Sequence, residues 1–200
     1  MLKTVVFALG LLPAAYSSFQ VWMLQSGGLH YLGADPAREL VLIQGQWAIH
    51  FLILTLLVTP VRQITGWIQI ARLRRMLGLF TFFYASLHLA AYSALLLEFD
   101  FSSVGIELVE RPYITVGFLA WLLLLPLALT STNRMVRMLG QNWRRLHRIV
   151  YAIALLGVAH VFWLAKSSYF DAFIYGSLLV ILLVYRFFSR GKDYSGRVTA

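Results

Sequence analysis

The chain contains no cysteine. Disulfides, thiolate metal sites and iron–sulfur clusters are therefore excluded, and so is any cofactor attached through a thioether. Charge is scarce as well: charged residues make up 12% of the chain, and only eight are acidic. Soluble domains run at roughly 25% charged and about 45–50% apolar. Here 60% of residues are hydrophobic and the mean hydropathy is +0.75. A soluble fold of 200 residues could not hide that much apolar surface. Lipid must be the solvent for much of the chain.

What is present is a series of long apolar runs. A bilayer core is roughly 30 Å thick, so a spanning helix needs about 20 mostly apolar residues. Six such stretches read near 4–24, 43–61, 76–97, 113–131, 147–165 and 171–188. The expected fold is all-α: one polytopic helix bundle over 1–200, without room for a separate soluble domain. The first stretch has a second reading, because Lys3, an apolar run and Ala15-Tyr16-Ser17 resemble a signal peptide. The apolar character continues through Trp22, Met23 and Leu24, which favours a span. Arg111-Pro112 opens the fourth stretch, where proline is tolerated because the first-turn N–H is unpaired anyway. Pro126 is expected to kink that helix. Pro60 is expected to close the second. No internal repeat stands out.

Charge placement sets the orientation. With a cytoplasmic N-terminus, 14 of the 17 basic residues fall on the cytoplasmic side. Only Arg38, Arg111 and Lys166 lie outside. Seven of the eight acids fall outside, and Asp193 alone lies inside. The positive-inside rule then gives six spans with both termini cytoplasmic. The net charge of +9 faces anionic lipid and cytoplasmic partners, and nucleic acid has no place in this reading.

Ionisable residues at membrane depth mark functional sites by default. His88 and His160 each lie 12 or 13 residues into a span that runs outward. At about 1.5 Å per residue, both sit roughly 18–20 Å from the inner surface. Two imidazoles at one depth can clamp a single iron from opposite faces, and small neighbours (Ala85, Ser86, Ala90, Gly157, Ala159) leave space for a flat macrocycle. Without cysteine, such a haem must be non-covalent, a b-type haem. The alternative is that each histidine bonds a neighbouring helix.

His147 lies 13 residues before His160, enough to place a second haem below the first. On a straight helix the two side chains would point roughly 140° apart. They share a groove only if His147 sits in a frayed or tilted first turn; otherwise it is an interfacial residue. Arg74, Arg75, Met76 and Met138 are the nearby candidates for an inner site. The arginines set topology and could also pair with haem propionates or a flavin phosphate. His50 is read mainly as structural, and His30 as a solvated loop residue.

An ordered set of motifs carries a resemblance. It comprises Gly27-Gly28-Leu29, Gly33-Ala34-Asp35-Pro36, Thr55-Leu56-Leu57-Val58-Thr59-Pro60, Arg74-Arg75-Met76-Leu77-Gly78-Leu79 and Leu87-His88-Leu89. It continues with Arg111-Pro112-Tyr113-Ile114-Thr115, Leu129-Thr130-Ser131, Leu139-Gly140, Trp143-Arg144-Arg145-Leu146-His147-Arg148-Ile149-Val150-Tyr151 and His160. From about residue 10 to 188 the chain resembles the MsrQ family of the ferric-reductase-like transmembrane group. The resemblance implies a bacterial inner-membrane subunit carrying b haem and FMN. It implies electron delivery to a periplasmic molybdenum-cofactor methionine-sulfoxide reductase, MsrP, with the quinone pool or a cytoplasmic flavin reductase as donor. It also implies His88, His147 and His160 as the haem-ligand set. The wider group carries a second histidine at the inner end of the third span, where this chain has Arg74-Arg75-Met76.

Three function classes follow. The first is an electron-transfer subunit, with sulfoxide reduction on a separate chain. The second is a haem ferric or cupric reductase acting at the outer face. The third is a small transporter or structural protein whose histidines relay protons or join helices. Twelve residues follow the sixth stretch, so an outside electron donor is expected. The outer acids Glu107 and Glu110 are the candidate docking residues for a periplasmic partner.

Overall fold

The computed structural model describes residues 1–29, 31–100, 102–164 and 169–195. His30, Lys166 and Arg197, all placed by the topology reading, lie outside the described residues. So do the side chains of Asp171, Arg190, Lys192 and Asp193. Among the described residues, every regular element is helical. The order is α1 (Leu2–Gln25), α2 (Pro36–Thr65), a 3-10 segment (Ile68–Leu73), α3 (Arg74–Leu95), α4 (Val104–Glu110) and α5 (Pro112–Leu129). Then come α6 (Asn133–Leu139), α7 (Gln141–Leu146), a second 3-10 segment (His147–Ile149), α8 (Val150–Leu164) and α9 (Phe170–Ser195).

Five helical stretches are long and apolar enough to cross a bilayer: Leu2–Gln25, Pro36–Thr65, Ile68–Leu95, Pro112–Leu129 and Gln141–Leu164. The chain is a multi-pass membrane protein. The sixth expected span coincides with α9, whose apolar stretch, Ala172–Arg186, is shorter. Helix α2 starts where Asp35 accepts the Arg38 N–H at 3.1 Å and Pro36 opens the first turn. It does not end at Pro60. That residue is buried inside the helix, which runs on to Thr65 and stops at Gly66, a left-handed cap with φ 69°. Proline removes one backbone bond, but packing on neighbouring helices sustains the helix through it.

The closest helix pairings are α2 with α3 and α5 with α8. One buried cluster joins α2, α5, α8 and α9 through Leu52, Leu56, Leu124, Leu127, Ile153 and Leu179. A second joins α2 and α3 through Phe51, Val58, Leu77, Phe80 and Tyr84, with Leu2, Val6 and Ala14 of α1 against it. The outward faces of the spans carry exposed Phe7, Trp22, Leu54, Leu119, Leu155 and Ile181. In water such a surface would aggregate; in a bilayer it is the lipid face.

Candidate functional site

His88 on α3 and His160 on α8 meet inside the bundle. Their ring centres are 6.1 Å apart and their planes cross at 86°. The Nδ1 of His88 lies 2.8 Å from the Val41 carbonyl of α2. The Nδ1 of His160 lies 2.6 Å from the Tyr113 carbonyl of α5. A carbonyl can only accept, so each Nδ1 carries the proton and each Nε2 keeps its lone pair. This is the tautomer that a metal-ligating imidazole needs, with the second nitrogen held by a backbone acceptor. With metal–nitrogen bonds of about 2 Å and the ring centre roughly 1.1 Å behind each nitrogen, two imidazoles across one metal have centres about 6 Å apart.

Among the described residues, no three His, Cys, Asp or Glu side chains gather into a metal site. Two facing imidazoles alone would leave a bare ion under-coordinated. They suit an iron whose other four ligands come from a macrocycle, so the residues present fit haem.

Two glycines make room for these rings. A Cβ on Gly45 would stand 2.9 Å from the His88 Nδ1, and one on Gly117 would stand 2.7 Å from the His160 Nδ1. Sequence reasoning looked for small residues beside the histidines on their own helices and missed these on the helices opposite. The expected neighbours do other work. Ser86 accepts the Trp121 indole N–H at 3.0 Å, and a Cβ on Gly157 would make ordinary contact with Leu52. A glycine in an apolar helix interior costs about 1 kcal/mol and implies a packing reason, which was the available signal.

The two half-sites are copies of one another. Each carbonyl precedes its histidine by 47 positions, and each glycine precedes it by 43. The α2–α3 pair therefore maps onto the α5–α8 pair with a uniform offset of 72 residues. This repeat was not legible beforehand because few side chains are shared between the halves.

The same offset organises a second site toward the basic end of the bundle. A cavity of about 280 Å³ is lined by Leu52, Thr55, Ala71, Arg74, Arg75, Gly78, Thr81, Leu124, Leu127, Ala128, Ser131, Trp143, His147 and Val150. Leu52 pairs with Leu124, Ala71 with Trp143, Arg75 with His147 and Gly78 with Val150. His147 does not lie in a straight helix. It opens the 3-10 segment between α7 and α8, which breaks the α-helical register that would have turned it away. Its ring stacks on Trp143 at 3.8 Å, and its Nδ1 donates to the Trp143 carbonyl at 3.1 Å. Its Nε2 is buried without a partner. A buried imidazole nitrogen left open beside a cavity is what a ligand would satisfy.

The other sequence candidates separate clearly. Arg74 and Arg75 line the cavity, and Arg75 also bonds the Asn133 side chain. Met76 instead packs against the buried α2–α3 cluster, and Met138 is exposed. His50 stands apart, with its Nε2 3.0 Å from the Tyr175 hydroxyl of α9. On α4, Glu107 accepts the Tyr92 hydroxyl at 2.8 Å and pairs with Arg111 at 2.9 Å. That carboxylate pushes the Arg111 guanidinium above its usual pKa. Glu110 is exposed.

The family described as Ferric reductase like transmembrane component matches residues 44–158, which take in His88, Gly45, Gly117, Tyr113 and His147 and end just before His160. Curated relatives match nearly the full chain. The protein-methionine-sulfoxide reductase heme-binding subunit MsrQ of Xanthomonas euvesicatoria pv. vesicatoria is 50% identical over 184 residues, 92% of this chain and 84% of that one. The chain belongs to the MsrQ family. The subunit of the same name from Xanthomonas axonopodis pv. citri is 47% identical over 197 residues, 98% of this chain and 89% of that one. That from Azospira oryzae is 44% identical over 191 residues, covering 94% and 79%. The transmembrane component that the family description names agrees with the apolar helices found here.

Proposed function

We propose that this MsrQ-family chain binds b haem between His88 and His160 and carries electrons across the inner membrane to a methionine-sulfoxide reductase. The observation that carries the reading is the facing imidazole pair, 6.1 Å apart, with both Nδ1 protons held by backbone carbonyls. Haem iron, when bound, supplies a reversible one-electron change. The protein's part is to hold two Nε2 lone pairs toward one iron and to bring electrons within reach of the outer surface. Names of the relatives support the haem and the sulfoxide-reductase system.

The finer parts of the reading rest on residues and resemblance together. A second haem is assigned to the inner cavity with His147 as ligand, supported by the buried Nε2. Arg74 and Arg75 are assigned to propionate or flavin-phosphate contacts, which is also the place the chain offers to FMN. The donor is the quinone pool or a cytoplasmic flavin reductase, and the acceptor is the periplasmic molybdenum enzyme MsrP. Six spans with both termini cytoplasmic put the inner cavity at the donor side and the His88–His160 pair toward the acceptor.

The test is pigment analysis of the purified chain. The expected result is a reducible Soret and α-band pair, lost in His88→Ala and His160→Ala while both variants still insert. A colourless wild-type chain would sink the redox reading and leave the histidines as helix contacts or proton relays. Direct reduction of ferric or cupric ions without a partner would favour a reductase acting at the outer face.

A further inference from the structure

The two imidazole planes cross at 86°, and nothing about two ligating histidines requires that angle. Each ring's plane turns with rotation about its Cβ–Cγ bond. Two contacts remove that rotation. On one edge, Nδ1–H is tied to a helix carbonyl, Val41 for His88 and Tyr113 for His160. On the face beside that edge lies a glycine. A Cβ on Gly45 would meet the His88 Nδ1 at 2.9 Å and Cε1 at 3.1 Å, while one on Gly117 would meet the His160 Nδ1 at 2.7 Å and Cε1 at 2.8 Å. Real Cβ atoms do not approach so closely, so any larger residue must turn the ring and break the carbonyl bond, or push the helix away. Both half-sites use the same construction, one carbonyl and a glycine one helical turn on.

We propose that Gly45 and Gly117, with the Val41 and Tyr113 carbonyls, are positioning elements that lock the two axial imidazoles perpendicular. This rests on the haem reading above and deepens it. An imidazole donates into the iron d orbital lying across its own plane. Perpendicular rings split that donation between two orbitals and leave them nearly degenerate. Parallel rings raise one orbital and separate the pair. Near-degeneracy gives a ferric low-spin centre with very large g anisotropy, whereas separated orbitals give an ordinary rhombic spectrum. An acceptor on the far nitrogen of a metal-bound imidazole fixes the ring's orientation and tunes the metal. The 72-residue offset gives each ring the same partners on its own helix pair, Val41 and Gly45 of α2 for His88 and Tyr113 and Gly117 of α5 for His160.

The experiment is low-temperature EPR of the ferric full-length protein, loaded with haem, beside its optical spectrum. The wild type is expected to show one isolated, large-g low-spin feature. Gly45→Ala and Gly117→Ala are expected to keep low-spin haem but move that feature toward a rhombic pattern, with Gly117→Ala the stronger because its contact is tighter. Gly176→Ala is the control, since its Cβ would sit 3.6 Å from Val158, an ordinary contact. A rhombic wild-type spectrum from a bis-histidine haem overturns the perpendicular lock while leaving the haem reading intact. Alanine variants with the wild-type signal overturn the role of the glycines. Loss of haem in an alanine variant but not in Gly176→Ala supports a glycine needed for ligation itself, and the wild-type spectrum then decides the angle. A protein without haem removes both the lock and the function it rests on.

Discussion

The hydroxyl of Tyr84 bridges the backbone of Gly10, donating to its carbonyl at 2.7 Å and accepting the Ala14 N–H at 3.1 Å. Those two groups would bond each other in an unbroken α-helix. Pro13 lies in that turn, and a side chain inserted into the ladder is a recognised cause of helix distortion. Tyr84 is fully buried, so the bridge ties α1 to α3.

Tyr84→Phe should therefore loosen α1 specifically. Two buried backbone groups lose a partner, at a cost of about 1–3 kcal/mol. Interhelical bonds within membranes fall toward the lower end of that range. Thermal unfolding in detergent should show the drop, with the haem spectrum unchanged. A melting temperature equal to wild type would mean that α1 is held by packing alone.

His147→Ala should lower the haem content by up to one per chain and block reduction from the cytoplasmic donor. The outer haem should stay reducible by a small-molecule reductant. The reason is the buried, unpartnered Nε2 facing the arginine-lined cavity. Full haem content with normal donor reduction would make His147 a packing residue on Trp143.

His50→Phe should leave the bis-histidine spectrum intact. The His50 Nε2 already faces the Tyr175 hydroxyl. The expected effect is a stability loss of about 0.5–1.5 kcal/mol, the usual net worth of one hydrogen bond. Disappearance of low-spin haem would bring His50 into the ligand set.

Glu110 and Glu107 should respond differently to substitution. Glu110 is exposed, whereas Glu107 joins Tyr92 to Arg111 with its side chain 19% exposed. Glu110→Lys should slow electron delivery to the periplasmic partner at low salt, where surface charge acts most strongly, without altering haem. Glu107→Gln should instead weaken the joint between α3, α4 and α5. Equal delivery rates for Glu110→Lys and wild type would move the docking surface elsewhere.

Reporter fusions at positions 105 and 195 should read outside and inside. The motive is the 14 basic residues gathered on one side. The opposite pattern would reverse the proposed direction of electron flow.

Composition alone determined that lipid surrounds this chain. At 60% hydrophobic and 12% charged it could not fold in water as a monomer, and its apolar runs are long enough to span. Histidine spacing determined that His88 and His160 lie at one depth, because rise per residue is fixed in any helix. The tertiary structure decided what depth cannot. It chose which face each ring presents, which nitrogen is free, and that Gly45 and Gly117 on opposing helices clear the space. The inner site also needed it, since a 3-10 turn at His147 replaced the register that a straight helix would impose. The 72-residue repeat stayed hidden for the same reason. Lipid-facing side chains need only be apolar, so identical residues recur at few of the offset positions, among them Gly45 and Gly117, Leu52 and Leu124, and His88 and His160.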